Sequence, residues 1–115
     1  MDSIGDYTPT DYRIEYLSIQ KSDKEAEIQA LTVENEKLNE DNKTYQNIIN
    51  DLIFNEEFET TEEIEETNRR IQSYQRQIKR NKDSMEQNKL EIAELRKAIT
   101  DIESAIQKMK KKGVS

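Results

Sequence analysis

The stretch IEETNRRIQSYQRQIKRNKDSMEQNKLEIAELRKAITDIESAIQKM, residues 64–109, decides the fold. Isoleucine or methionine recurs at every seventh position: Ile64, Ile71, Ile78, Met85, Ile92, Ile99 and Ile106. A second set follows three residues behind: Thr67, Tyr74, Asn81, Asn88, Leu95, Ile102 and Met109. Residues spaced this way fall at heptad positions a and d, on one narrow side of an α-helix, and a stripe so narrow is buried only against another helix. The stretch therefore predicts a coiled-coil helix whose seam is a binding surface.

The partner is sought outward, toward the amino terminus. Thr8, Pro9, Thr10 and Asp11 make a helix start, with a hydroxyl for the N-cap, proline at the first helical position and an acid facing the exposed amides. From there a second heptad seam runs through Ile14, Lys21, Ile28, Asn35, Asn42 and Ile49 at a. Its d positions are Leu17, Lys24, Leu31, Leu38, Tyr45 and Leu52. Ile64 lies fifteen positions after Ile49, one more than two heptads, so the two seams are out of register. The break holds Phe54 to Thr61, and Thr60 with Glu63 forms a capping box for a second helix. A stutter in one continuous helix could also absorb the slip, and two straight helices exchanged between chains would use similar layers.

Folding the chain back near residue 58 pairs the two seams a against d. The pairs are Leu52 with Ile64, Ile49 with Thr67, Tyr45 with Ile71, Asn42 with Tyr74, Leu38 with Ile78 and Asn35 with Asn81, and they continue outward to Ile14 with Ile102. The centre of this pairing falls on the capping signal, and Asn35 opposite Asn81 would be a register-setting polar layer. The expected fold is all-α: two long helices in a rod-like antiparallel coiled-coil hairpin, with a short turn at about residues 55–60. Helix 1 is expected at about 9–54 and helix 2 at about 61–112. Residues 9–112 form one hairpin domain between a leader, 1–8, and a tail, 113–115.

Charge supports the pairing. Residues 1–53 carry twelve acids and five bases, residues 54–66 seven acids and no base, and residues 67–115 six acids and thirteen bases. An acidic first helix should attract a basic second one. The chain as a whole has a net charge of −7 and 37% charged residues; at 115 residues it cannot enclose a thick core.

The chain has no Cys and no His, which removes disulfides, thiolate zinc sites, imidazole bases and the Ser/His and Cys/His nucleophile pairs. No catalytic, cofactor-binding or metal-binding residues are assigned, and the expectation is a chain that is not an enzyme. Glu56, Glu57, Glu59, Glu62, Glu63, Glu65 and Glu66 lack the Asp/Asn-and-Gly spacing of a calcium loop. Lys108, Lys110, Lys111 and Lys112 before Gly113 fit a helix C-terminus with a glycine cap, and specific nucleic-acid readout is not expected. There is no stretch of the roughly 18 apolar residues a membrane span requires, and Met1 to Asp6 is acidic where a signal peptide is basic. A cytoplasmic protein or virion component, not a secreted one, is expected.

Two regions carry more apolar surface than the seam needs. Near the turn, Ile48 and Ile53 flank Ile49 and Leu52, with Phe54 and Phe58 just beyond. At the open end, Tyr12, Tyr16 and Ile19 form a stripe on the back of helix 1, while Ala98 and Ala105 widen the seam of helix 2. Such residues either seal the ends locally or bury against other chains, and the second outcome is expected at the open end.

The expectation for function is a structural or assembly protein that binds protein partners, or further copies of itself, through its helix ends. Richness in Asn, Lys, Ile and Glu is typical of AT-rich coding sequences, so a virion or phage particle is one setting. In helix number and length the hairpin is similar to prefoldin subunits and flagellar export chaperones. That likeness implies the alternative, a chaperone or adaptor gripping client proteins. No motif is shared, and the turn is too short for the β-hairpin of prefoldin subunits.

Overall fold

The structure is a computed structural model that describes residues 8–55 and 59–114. It is all-α, a helical hairpin of two long helices, α1 (Pro9–Asn55) and α2 (Thr61–Val114), with no strand among the described residues. Both helix starts are built as their sequences dictate. The Asp11 amide donates to Thr8 Oγ1 at 3.1 Å and the Thr8 amide donates to Asp11 Oδ2 at 2.9 Å, a reciprocal capping box. Thr60 repeats the device for α2, its Oγ1 accepting from the Glu63 amide at 3.2 Å. Glu62 and Glu63 in that first turn complement the positive end of the helix, and Lys111 and Lys112 the negative end. The expected glycine cap is absent: α2 continues through Gly113 to Val114, two residues past the expected end.

The chain divides into two compact units, each made of one length of each helix. One comprises Thr32–Lys89 and the other Met1–Leu31 with Leu90–Ser115. In the Thr32–Lys89 unit every a and d residue is buried or half-buried, so the heptad reading of both helices holds there. Ile49, 2% exposed, and Ile71 are its buried hydrophobics, joined by Thr67 and Asn81.

The register, however, differs from the expected one by a heptad. Asn35 does not face Asn81. Asn88 Nδ2 donates to Asn35 Oδ1 at 2.9 Å, and Asn81 Nδ2 donates to Asn42 Oδ1, also at 2.9 Å. Tyr74, expected opposite Asn42, instead lies against Tyr45 with ring centroids 5.6 Å apart. The physical reason is amide satisfaction. Each helix carries two asparagines seven residues apart, and this register pairs both sets, whereas the expected one pairs a single set. Both layers close in the same way: Asn35 Nδ2 donates to the Met85 carbonyl at 3.2 Å, and Asn42 Nδ2 to the Ile78 carbonyl at 3.3 Å. Among the described residues no buried side-chain polar atom lacks a partner. The shift also sets the approach to α2. Thr67 Oγ1, nearly inaccessible, donates to Glu59 Oε2 at 2.7 Å, so the residues just before α2 lie beside its second turn.

The second unit keeps the same a/d pattern, with Ile102 its buried hydrophobic and Ile14, Leu17, Ile28, Leu31, Ile92, Leu95, Ile99, Ile106 and Met109 half-buried. Lys21 and Lys24 occupy seam positions there. Their aliphatic stems can cover the seam while the ammonium reaches water, and Lys21 Nζ meets Glu103 Oε2 at 3.1 Å.

Candidate partner-binding surfaces

Heptad position decides which apolar residues stay outside. Tyr12 and Ile19 fall at f and Tyr16 at c, opposite the seam, because the seam is centred between a and d. Each is more than half exposed, at 58%, 55% and 61% respectively. Tyr16 Oη accepts from Gln20 Nε2 at 2.8 Å along the same helix. The stripe is longer than these three residues. Ala26 and Ala30 continue its four-and-three spacing and are exposed, with Asp23 the one charge in the row, between Ile19 and Ala26. The signal was present in the sequence as a second heptad phase, but alanine is too small for its recurrence to stand out.

Ala98 and Ala105 do not join that stripe. They sit at g of α2, half-buried along the flank of the seam, where small side chains let the helices approach. Near the turn, Ile48 is likewise drawn to half-burial at g, while Ile53 and Phe54 are exposed, Phe54 by 75%. Phe58, the remaining candidate, lies outside the described residues. Val33 and Leu90, not singled out in the sequence, are also more than half exposed; both fall at f.

The polar clusters are used locally. Of the acids near the turn, Glu59 holds Thr67, Glu63 accepts from the Thr60 hydroxyl at 3.1 Å, and Glu66 meets Arg69 Nε at 3.3 Å. Among the described residues no group of three or more His, Cys, Asp or Glu side chains could hold a metal ion. The Asp11 carboxyl is held below the usual 3.8 by the Thr8 amide first and the Thr8 hydroxyl second. The concavities are open hollows along the groove between the helices. One, in the Thr32–Lys89 unit, is lined by Tyr45, Ser73, Tyr74, Arg76, Gln77 and Arg80. Another, in the second unit, is lined by Ser18, Lys21, Glu25, Glu103, Ile106, Gln107 and Lys110. No helix among the described residues is long and apolar enough to cross a membrane. No protein-family model matches the chain, and comparison with curated proteins and with solved structures finds no match.

Proposed function

We propose that the chain is a non-enzymatic assembly part, a helical hairpin that docks another protein chain on the outer face of α1 within a larger complex. The observation that carries this reading is the exposed row Tyr12, Tyr16, Ile19, Asp23, Ala26 and Ala30, uncharged but for Asp23. Its four-and-three spacing is that of a coiled-coil seam, on a face that the hairpin does not use. Two tyrosines and an isoleucine in one row, each more than half exposed, are an apolar patch on the face away from the seam, and large aromatic side chains supply much of the energy in protein interfaces. Phe54 and Ile53 give the other end of α1 a smaller surface of the same kind.

The test replaces Tyr12, Tyr16 and Ile19 together by serine in the protein expressed with its natural partners. The docked chain should be lost from the purified complex while helicity is unchanged. Retention of every partner in the serine variant would refute the reading. A client-gripping chaperone is the alternative, with the exposed Phe54 tip as its support. It would bind partners in variable amounts, where an assembly part has a fixed stoichiometry.

A further inference from the structure

A different face, on α2, carries an order of charges that the hairpin uses only in part. Residues 54–66 hold seven acids and no base, and residues 67–82 hold six bases and no acid. On the outer side of α2 this segregation becomes a row: Glu62, Glu66, Arg69, Ser73, Arg76 and Arg80, spaced alternately by four and three, all exposed. Glu62 with Glu66, and Arg76 with Arg80, are like-charged neighbours one turn apart, an arrangement that destabilises a solitary helix. Glu66 has an ion partner in Arg69 at 3.3 Å. Among the described residues Glu62, Arg76 and Arg80 are in no ion pair.

We propose that this face pairs with the same face of a second copy of the chain, antiparallel, about a two-fold axis level with Ile71. Read backward, the row presents its charges in the opposite order, so each copy complements the other. Glu62 meets Arg80, Glu66 meets Arg76 and Arg69 meets the small Ser73, and the two-fold repeats each encounter. These are c-to-f encounters, geometrically equivalent to the a-to-d layers of an antiparallel coiled coil. On one flank Glu65 meets Lys79, while Arg70 faces its own copy near the axis and opposes the pairing. Each like-charged pair on one helix is thereby set against the opposite pair on the other. Arg76 and Arg80 are both exposed, so a partner carboxylate can reach them. The association is charge-driven and therefore weak and salt-dependent.

The test is sedimentation equilibrium of the full chain at millimolar concentration, at about 0.01 M and about 1 M salt, where the screening length falls from roughly 30 Å to about 3 Å. The wild type should approach dimer mass at low salt and monomer mass at high salt. Glu62→Arg with Glu66→Arg makes the row basic, and Arg76→Glu with Arg80→Glu makes it acidic. Each double variant alone should remain monomeric at low salt, and an equimolar mixture of the two should recover a one-to-one dimer. Circular dichroism verifies that both keep their helices. A monomeric wild type at low salt overturns the proposal, as does dimerisation of either variant alone or failure of the mixture to pair. Dimerisation abolished only by the serine changes at Tyr12, Tyr16 and Ile19 also overturns it, and assigns self-association to α1. Inorganic polyphosphate binding to a wild type that stays monomeric without it would make the arginines a polyanion site and equally refute the dimer.

Discussion

Replacing Asn42 and Asn81 by leucine, singly and together, probes the layers that set the register. Asn81 is 6% exposed and its Nδ2 donates to Asn42 Oδ1. Asn42→Leu strands that donor, which costs about 1–3 kcal/mol, while a half-buried leucine returns about 1 kcal/mol. The single variant should therefore lose about 1 kcal/mol. In the double variant the stranded donor is gone and two leucines face each other, while the half-buried Gln77 amide, which donates to Asn81 Oδ1 at 3.0 Å, turns to water, so it should exceed the wild type by about 1 kcal/mol. The resulting coupling between the two sites is at least about 1 kcal/mol, measurable by urea denaturation. A double variant less stable than Asn42→Leu alone would refute the stranded-donor argument.

The same layers choose between registers. The observed one pairs Asn35 with Asn88 and Asn42 with Asn81. A slip of one heptad would keep a single pair, Asn35 with Asn81, and set Asn42 against Tyr74 and Asn88 against Ile28. At about 1 kcal/mol for each half-buried amide left without a partner, the preference is about 2 kcal/mol, or roughly thirtyfold. Changing all four asparagines to leucine should raise stability and release that preference. The chain has no cysteine of its own, so spin labels on Thr44→Cys and Ser84→Cys report the register cleanly. A slip of seven residues moves one helix past the other by about 10 Å. The four-leucine protein should give two label distances where the wild type gives one, and a single unchanged distance would mean that the asparagines do not set the register.

Serine at Tyr12, Tyr16 and Ile19 should change the chain's own unfolding free energy by less than about 0.5 kcal/mol per site yet weaken partner binding by at least about a hundredfold, as read by denaturation and by titration of the purified partner. Ile49→Ala, at the most buried side chain among the described residues, should cost about 2–4 kcal/mol, whereas Val33→Ala, at a position 52% exposed, should be nearly silent in the same urea experiment. Acidification should fray the start of α1 first. The folded carboxyl of Asp11 titrates below its usual 3.8, so its stabilising contribution is complete above that value and is lost as pH falls through the depressed one. Amide exchange of residues 9–12 should accelerate there, and Asp11→Asn should remove that pH dependence. Lys21→Met should leave stability within about 1 kcal/mol of wild type, because the Lys21–Glu103 pair is partly solvated.

Heptad phase was legible in the sequence because it depends only on which residues are apolar, and every seam position from Ile14 to Met109 is buried or half-buried. The two helix starts were legible for a similar reason. A cap is a local arrangement of three or four residues, and both Thr8 with Asp11 and Thr60 with Glu63 form as written. Register was harder, since a slip of one heptad preserves phase and only the exceptional layers distinguish the alternatives. One Asn pair was matched when two had to be, and the turn signal at Thr60 gave no correction, because residues such as Glu59 can lie beside α2 without changing where it begins. The surface candidates divided by heptad position. Residues at f and c are exposed, while Ile48, Ala98 and Ala105 at g are half-buried, the two alanines along the seam that their spacing widens.

The thinness of the core links the fold to its proposed use. A two-helix seam leaves most a and d residues half-exposed, so each apolar layer contributes only part of the free energy of full burial and an asparagine layer sacrifices little by comparison. Two such layers can therefore fix the register without undoing the hairpin, and they do so with residues that face inward. Outer positions then carry little of the seam: Tyr12, Tyr16 and Ile19 on α1, and the row from Glu62 to Arg80 on α2, fall at c and f, away from the a and d layers. In a globular domain, binding residues commonly share side chains with the core, and mutating them confounds affinity with stability. Here the two are largely separated by helix face, which is why the serine and charge-reversal variants are expected to change association far more than the unfolding curve.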